Sequence, residues 1–275
     1  MIKEIIDKLV ALLAVSALLA SCSESELWQN PQTEARDGYI MLNFKTEIPA
    51  MQEVVTRAVD PDGGGVQDMT LFCFDSYGLF ISTVKAGVTV QKPGPGEMEG
   101  TFKAEVPENT RTIHFLANQN MDEFKEDSFR NKSESEVMAV LEGSSGRMIY
   151  WGRFACDAGN DSNIAEQMAT SGNSVKLIRN HARISVDNPD NNGHIVITGF
   201  AVCNTNAFGT VAPHHPKKGF DFTWPSSDDP FVTLPVNDAK MSDITDVTSS
   251  MNQYVFECEN SADAPVSVIL RGHLP

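Results

Sequence analysis

The sequence predicts an all-β protein with one short helix, built as β-sandwiches. One observation is the alternation of apolar and polar residues over residues 39–48, which is typical of a half-buried strand. The inward-facing positions of this strand are Ile40, Leu42, Phe44 and Ile48. A second observation is that strand-like runs recur about every 8–12 residues between turn residues, as in a β-sandwich. A third is the capping box from Ser133 to Glu136, which predicts the single helix.

The strands form two series, separated by a polar break at residues 171–173. The first series comprises residues 39–48, 69–75, 79–83, 101–106, 112–117 and 148–151. The second comprises residues 175–186, 195–203, 254–258 and 266–271. Gly78 suits the positive φ of a hairpin turn between the second and third strands. We therefore expect one sandwich over residues 58–174, completed by the strand at residues 39–48, and another over residues 175–275.

The predicted helix begins at Ser133 and ends at Gly143, which is a residue type common just past helix ends. Its apolar stripe would consist of Val137, Val140 and Leu141. No other segment is predicted to be helical.

The N-terminus has the features of an export signal. Residues 9–20 are uncharged and apolar, but about 20 such residues are needed to span a bilayer. Lys3 and Lys8 precede this run, as in a signal peptide over residues 1–21. The run ends in Leu-Ala-Ser-Cys22, which matches a bacterial lipobox and predicts a diacylglyceryl lipid on Cys22. The alternative is an ordinary secretory signal followed by an unrelated Cys.

The charge balance excludes one class of partner. The chain has 37 acidic and 21 basic residues, with a formal net charge of −16. Such a surface repels phosphate backbones and anionic lipid, so nucleic-acid binding is disfavoured. A link to the membrane would therefore depend on the lipid at Cys22 rather than on a basic patch.

Four further cysteines are widely spaced, and none forms a CxxC pair; they are Cys73, Cys156, Cys203 and Cys258. Export permits disulfides, and four cysteines allow three pairings. Three of the four lie inside apolar runs, where Cys often serves as a small hydrophobe. We favour mostly unbonded, buried thiols and keep a disulfide as the alternative.

Catalytic motifs are missing from the sequence. The run Gly143-Ser-Ser-Gly146 does not match the G-x-S-x-G nucleophile elbow. No zinc-protease, Walker or dinucleotide-binding motif occurs in the required context. The sequence therefore predicts that the protein is not an enzyme and needs no cofactor.

Three weaker signals for ligand binding also favour ordinary structure. Residues 188–193 resemble the start of a calcium loop, but Gly199 stands where a bidentate Glu is needed. His214 and His215 lie beside Pro and Lys residues, which disfavours a metal ion. Trp224 and Phe231 could line a sugar site, but isolated aromatics in such loops more often cap a core. We expect no metal site.

A series of short runs occurs in a recognisable order along the chain. They are the lipobox ending in Cys22, VVTRAV around Arg57, MTLFCFDSYGL, TIHFLANQN, MIYWG, RNHARISV, FGTVAP, YVFECEN and VSVILRG. Together they resemble the fimbrillin (type V pilin) family of anaerobic Gram-negative bacteria, over most of residues 22–275. The resemblance implies two transthyretin-like β-sandwich domains in series, exported as a lipoprotein to the outer membrane and cell surface.

The resemblance also implies proteolytic processing in the loop after the first strand. A trypsin-like protease would cut after Arg57, leaving Ala58 as the new N-terminus and releasing residues 22–57. A strand from another fimbrial subunit would then fill the vacated groove, which is donor-strand exchange. The groove positions are Ile40, Leu42, Phe44 and Ile48. Arg36 is a competing cut site, but it precedes the strand, so cleavage there would open no groove.

The resemblance leaves the place of the chain in a fimbrium open. Family members usually continue beyond the position of Pro275, and their final strands are the donor, so we expect the second sandwich to be incomplete. Shaft, tip and anchor positions are all possible, and an anchor would keep its lipid. An alternative from another class is an uncleaved surface lipoprotein that binds a glycan or host ligand through its loops.

Overall fold

The computed structural model describes residues 35–48, 66–93, 98–122, 124–144, 148–186, 196–214, 231–237 and 252–274. The strands in these ranges are β1 Tyr39–Glu47, β2 Met69–Phe74, β3 Phe80–Lys85, β4 Gly87–Pro93, β5 Met98–Pro107, β6 Thr112–Ala117, β7 Glu142–Ser144, β8 Tyr150–Ala155, β9 Ser174–Lys176, β10 Ile178–Arg179, β11 His181–Ser185, β12 Val196–Cys203, β13 Phe208–Thr210, β14 Asn252–Phe256 and β15 Ser267–His273. The helices are α1 Glu134–Met138 and α2 Ile164–Thr170, with a 3-10 turn at Glu126–Ser128.

The N-terminal half forms two facing sheets. The first has the strand order β4-β5-β1-β9, and the second has the order β10-β8-β6-β2-β3. All of their ladders are antiparallel except that between β1 and β9, which is parallel. The chain passes from β9 in the first sheet to β10 in the second through the buried Leu177.

Side chains from both sheets fill the space between them. The first sheet contributes Leu42, Phe44, Phe102, Ala104 and Val106, and the second contributes Met69, Leu71, Cys73, Ile113, Phe115 and Tyr150. Helix α2 adds Ile164, Ala165 and Met168 to the same core. The arrangement is a β-sandwich, in which alternate residues of each strand point inward.

The outer face of the second sheet is also buried. It carries Phe72, Phe74, Phe80, Leu116 and Trp151. Helix α1 and the chain after it cover part of this face with Val137, Met138 and Leu141. Residues from the C-terminal half cover another part, namely Val211, Ala212, Phe231 and Val232. The second sheet is therefore the layer on which both halves of the chain pack.

The described C-terminal strands pair as β11 with β14, β12 with β15, and β13 with β7, all antiparallel. The last pair joins the two halves of the chain, because β7 precedes β8 of the N-terminal sandwich. Gly143 on β7 faces Gly209 on β13, and the ring of Phe256 lies against both.

The structure confirms the predicted all-β sandwich class. The hairpin between β2 and β3 has Gly78 at φ +72°, as the sequence predicts. A second helix, α2, was not predicted. The sequence also predicts too long a first helix: α1 ends at Met138, and Val140 is 53% exposed rather than part of an apolar stripe.

The predicted second domain begins at residue 175. The structure pairs β9 with β1 and β10 with β8. Residues 174–179 therefore belong to the sheets of the first sandwich. The division into two domains otherwise stays a prediction.

Two further features concern the cysteines and the membrane. None of the four cysteines at 73, 156, 203 and 258 is joined to another by a disulfide. Among the described residues, no helix is both long enough and apolar enough to cross a membrane.

Candidate functional site

Strand β1 occupies a groove between two neighbouring strands of the first sheet. On one side it pairs with β5 from Tyr39 to Thr46. On the other side the ladder with β9 covers Lys45–Glu47. Flanking hydrogen bonds run from the N–H of Lys45 to the carbonyl of Asn173 and from the N–H of Leu177 to the carbonyl of Glu47, each 2.7 Å. We call the space that β1 fills, between β5 and β9 and above the second sheet, the β1 groove.

The inward side chains of β1 are deeply buried. Leu42 is 1% exposed, Phe44 is fully buried, and Ile48 just after the strand is also buried. Ile40, near the start, is half-buried against the same core. The ring of Phe44 stacks on Phe102 of β5 at 5.6 Å between centroids. These are the four residues that the sequence assigns to the groove.

The opposite face of β1 is mostly polar. Lys45 and Glu47 are exposed, and a carboxylate oxygen of Glu47 accepts a hydrogen bond from the Ser174 hydroxyl of β9 at 2.5 Å. Met41 is an exception that the alternating pattern does not predict. It lies on the polar face, and yet it is only 8% exposed.

The chain before β1 is fixed by Arg36. Its Nε atom donates to a Glu105 carboxylate oxygen of β5 at 2.7 Å, and its guanidinium lies 4.4 Å from the ring centroid of Tyr39. The carbonyl of Arg36 also accepts from the N–H of Tyr39 at 3.0 Å. The competing cut site is therefore held against the first sheet.

Three other predicted site residues, Cys22, Arg57 and Ala58, lie outside the described residues. Arg57 belongs to residues 49–65, which connect β1 to the segment before β2. The calcium-like run at 188–193, His215 and Trp224 are likewise outside the described residues.

A buried charged cluster lies on the other face of the second sheet. His114 of β6 is fully buried, and its Nδ1 atom accepts from the indole N–H of Trp151 at 3.1 Å. The imidazole proton is therefore on Nε2, which donates to Glu134 at 2.6 Å. Arg153 donates to both carboxylate oxygens of Glu134, at 2.6 and 3.0 Å.

Two groups in this cluster, His114 and Glu134, have lowered pKa values. Burial lowers the pKa of His114, which favours the neutral imidazole. Burial also acts to raise the pKa of Glu134, but the hydrogen bonds from His114 and Arg153 outweigh it and lower that pKa to about 2. Phe231 stacks on His114 at 5.6 Å with an interplanar angle of 8° and closes the cluster from the C-terminal half. The sequence does not predict these residues as a site. Their closed, hydrogen-bonded arrangement indicates a structural role.

The residues that the structure describes contain no group of three or more His, Cys, Asp or Glu that could hold a metal ion. The Nδ1 atom of His214 contacts the carbonyl of Val232. A cavity of about 320 Å³ lies between β8, α2 and β9, and its polar lining includes Asp157, Asn160, Gln167 and Lys176. The Gln167 amide is already paired, with the Asp157 N–H and the Ser162 carbonyl.

The sequence matches no known protein family and no curated protein. Solved structures with a similar arrangement are fimbrial and cell adhesion proteins. A fimbrial assembly protein from Parabacteroides distasonis is 13% identical, with a TM-score of 0.44 over 86% of this chain and 82% of that one. The tip fimbrial protein Mfa3 from Porphyromonas gingivalis is 15% identical, with a TM-score of 0.45 over 81% of this chain and 71% of that one.

Proposed function

We propose that this protein is a non-enzymatic structural subunit of a cell-surface fimbrium that assembles by strand exchange at the β1 groove. The observation that carries the proposal is the position of β1. It is the first described strand of the chain, yet it lies between β5 and β9 inside a sheet. A single cut after β1 would therefore free an internal strand from the domain that it completes.

Removal of β1 would leave a surface that favours another strand. The backbone groups of β5 that face Tyr39–Thr46, and those of β9 that face Lys45–Glu47, would lose their partners. The pockets of Leu42, Phe44 and Ile48 would open to water, and burial of each such side chain contributes about 1.5–3 kcal/mol. An apolar groove with unpaired strand edges is a template for β-augmentation.

The location of Arg57 suits this cut better than that of Arg36. Arg57 follows β1, so cleavage there separates the strand from β2 and everything after it. Arg36 precedes β1 and is bound to Glu105 and Tyr39. Cleavage at Arg36 would leave β1 covalently attached and the groove filled.

The remaining parts of the proposal follow from the N-terminal sequence. The precursor is exported with a lipid on Cys22 and carried to the outer membrane. A trypsin-like protease then cuts between Arg57 and Ala58 and releases the lipid together with β1. The partners are other subunits of the fimbrium, in which this chain is a shaft or tip component or, if uncut, the anchor.

Limited trypsin digestion of the lipid-free precursor tests the proposal. We expect one dominant early cut, with Ala58 as the new N-terminal residue, followed by uptake of a peptide that reproduces residues 38–49. Arg57→Ala should abolish both the cut and the uptake, while the matched variant Arg36→Ala should abolish neither. Peptide uptake by uncut Arg57→Ala protein would contradict the proposal, as would cleavage at Arg57 without any uptake.

The rival function is an intact lipoprotein that binds a glycan, with the cavity between β8, α2 and β9 as its site. That function requires no cleavage. If the wild-type chain resists trypsin at Arg57, stays monomeric and binds glycans in a manner abolished by Asn160→Ala, the rival replaces the fimbrial proposal.

A further inference from the structure

Thr46 interrupts the apolar face that β1 turns toward the core. The inward-facing positions are Ile40, Leu42, Phe44, Thr46 and Ile48. Thr46 is fully buried, and its hydroxyl oxygen has no hydrogen-bond partner. Moving a hydroxyl from water to an apolar site without a hydrogen bond is unfavourable. The native strand therefore fits the β1 groove poorly at this position.

The surroundings of Thr46 explain why its hydroxyl lacks a partner. Phe44 and Ile48, two residues away on either side, face the same core, and both are buried. Val175, the register partner of Thr46 on β9, is 3% exposed and belongs to that core as well. These neighbours offer hydrocarbon contacts, which suit a methyl group better than a hydroxyl.

Thr46 also lies where an occupant of the groove is most enclosed. The ladder with β9 covers Lys45–Glu47, and in this stretch β5 pairs on the other side as far as Thr46. The β9 ladder is parallel, a pairing slightly less stable per residue than an antiparallel one. The side chain at the register of Thr46 is thus flanked by strands on both sides. Its chemistry should therefore strongly affect the affinity of a strand for the β1 groove.

We infer that the β1 groove selects an incoming strand with a β-branched aliphatic residue at the register of Thr46, and that Thr46 makes β1 the weaker occupant. This inference rests on the strand exchange proposed above. Valine has nearly the shape of threonine, with a methyl group in place of the hydroxyl, so it removes the unpaired group with only a small increase in volume. Loss of one unpaired buried hydroxyl should favour the valine strand by about tenfold.

Peptides that compete for the groove test the inference. One reproduces residues 38–49, and a second carries the substitution Thr46→Val. A third, with Lys45→Val at an exposed position, controls for the added β-propensity of valine. Each is titrated against the full chain cut at Arg57, and uptake is measured by displacement of a fluorescent copy of the first. We expect the Thr46→Val peptide to bind about tenfold more tightly than the other two.

The matched change in the chain gives an independent readout. Thr46→Val in the uncut precursor should raise the Tm by about 2–4 °C. After cleavage, it should slow the replacement of β1 by any peptide. Lys45→Val should change neither quantity by a comparable amount.

The outcomes distinguish a failure of this inference from a failure of the proposed strand exchange. If all three peptides enter the cut chain with equal affinity, or if Thr46→Val leaves the Tm unchanged, strand exchange stands and the selective role of Thr46 is overturned. If no peptide enters the cut wild-type chain, strand exchange itself is overturned, and the inference is overturned with it.

Discussion

The ring of Phe44 on β1 lies 5.0 Å from the ring of Phe115 on β6, centroid to centroid, at an interplanar angle of 64°. This edge-to-face contact crosses the core and ties the first strand to the opposite sheet. Aromatic pairs of this geometry add about 0.5–1.5 kcal/mol to the contribution of the buried area. Truncation of Phe44 should therefore destabilise the protein more than truncation of any other β1 side chain.

Phe44→Ala should destabilise the uncut precursor by about 3–5 kcal/mol, the usual cost of removing a fully buried Phe. Urea unfolding of the precursor measures this difference in free energy. Lys45→Ala, at the adjacent exposed position, should cost less than about 0.5 kcal/mol. A Phe44→Ala precursor as stable as the wild type would show that β1 contributes little to the sandwich, which would remove the basis for a groove.

Gly152 on β8 of the second sheet lies close to the chain segment that includes β9 of the first sheet. A Cβ atom at this position would lie 2.7 Å from the carbonyl oxygen of Lys176 and 2.8 Å from a side-chain carbon of Leu177. The carbonyl belongs to backbone, which cannot easily move. Gly152→Ala should therefore destabilise the protein by about 1–3 kcal/mol, measured by urea unfolding.

Gly87→Ala is the matched control for Gly152→Ala. The nearest atom to a Cβ at Gly87 is the Lys103 carbonyl oxygen, at an ordinary contact distance of 3.8 Å. This substitution should change stability by less than about 0.5 kcal/mol. Equal effects of the two substitutions would mean that β8 and β9 are not packed as described.

Local patterns predict many of the strands, but not β4, β7 or β13, and not how β1 is enclosed on both sides. The alternation over residues 39–48 predicts that Leu42 and Phe44 face inward. The parallel pairing of Lys45–Glu47 with Ser174–Lys176 joins segments far apart in sequence, and a three-residue strand has no detectable period. For the same reason, no local pattern predicts that β9 and β10 pair with strands of the first sandwich.

Helix α2 could have been found from the sequence. Asn163 accepts a hydrogen bond from the N–H of Glu166, and the Glu166 side chain accepts one from the N–H of Asn163, which is a capping box. Helix α2 has only seven residues, however, which is too short for a helical period to stand out. The cluster around Glu134 had no such signal, because it assembles residues from α1, β6 and β8.

The four internal thiols should differ in reactivity. Cys73 and Cys203 are buried, while Cys156 and Cys258 are partly exposed. Burial raises the pKa of Cys73 to about 12, so its thiolate is scarce at neutral pH. We expect Cys156 and Cys258 to react with a maleimide in the native chain lacking residues 1–22, and Cys73 and Cys203 to react only on unfolding.

Peptide mapping by mass spectrometry before and after addition of urea identifies the labelled sites. Cys156→Ser and Cys258→Ser should each remove one labelled site from the native protein, whereas Cys203→Ser should remove none. Rapid native labelling of Cys73 would contradict its burial in the core between the two sheets.

A fall in pH should lower the stability of the protein through the titration of Glu134 and His114. The pKa of this carboxyl is about 2 in the folded chain, against an ordinary value of 4.5, so the unfolded chain binds the proton first as the pH falls. Stability from Glu134 is therefore fully present above about pH 5.5 and is lost as the pH falls toward 2. The pKa of His114 is lowered from 6.5, so the unfolded chain also binds this proton first, and stability falls with pH from about 6.5 downward.

Glu134→Gln separates the carboxylate from other acid effects. The variant should be less stable than the wild type at pH 6, because a neutral amide replaces the carboxylate that pairs with the buried charge of Arg153. The difference in unfolding free energy between the wild type and Glu134→Gln is the gap that should narrow. We expect it to decrease by about 1–2 kcal/mol between pH 6 and pH 3.5, because the wild type loses the contribution of Glu134. Urea unfolding at both pH values measures the gap, with the exposed Glu108→Gln as the control. A gap that stays constant over this range would show that the carboxyl titrates in the folded chain as it does in the unfolded one.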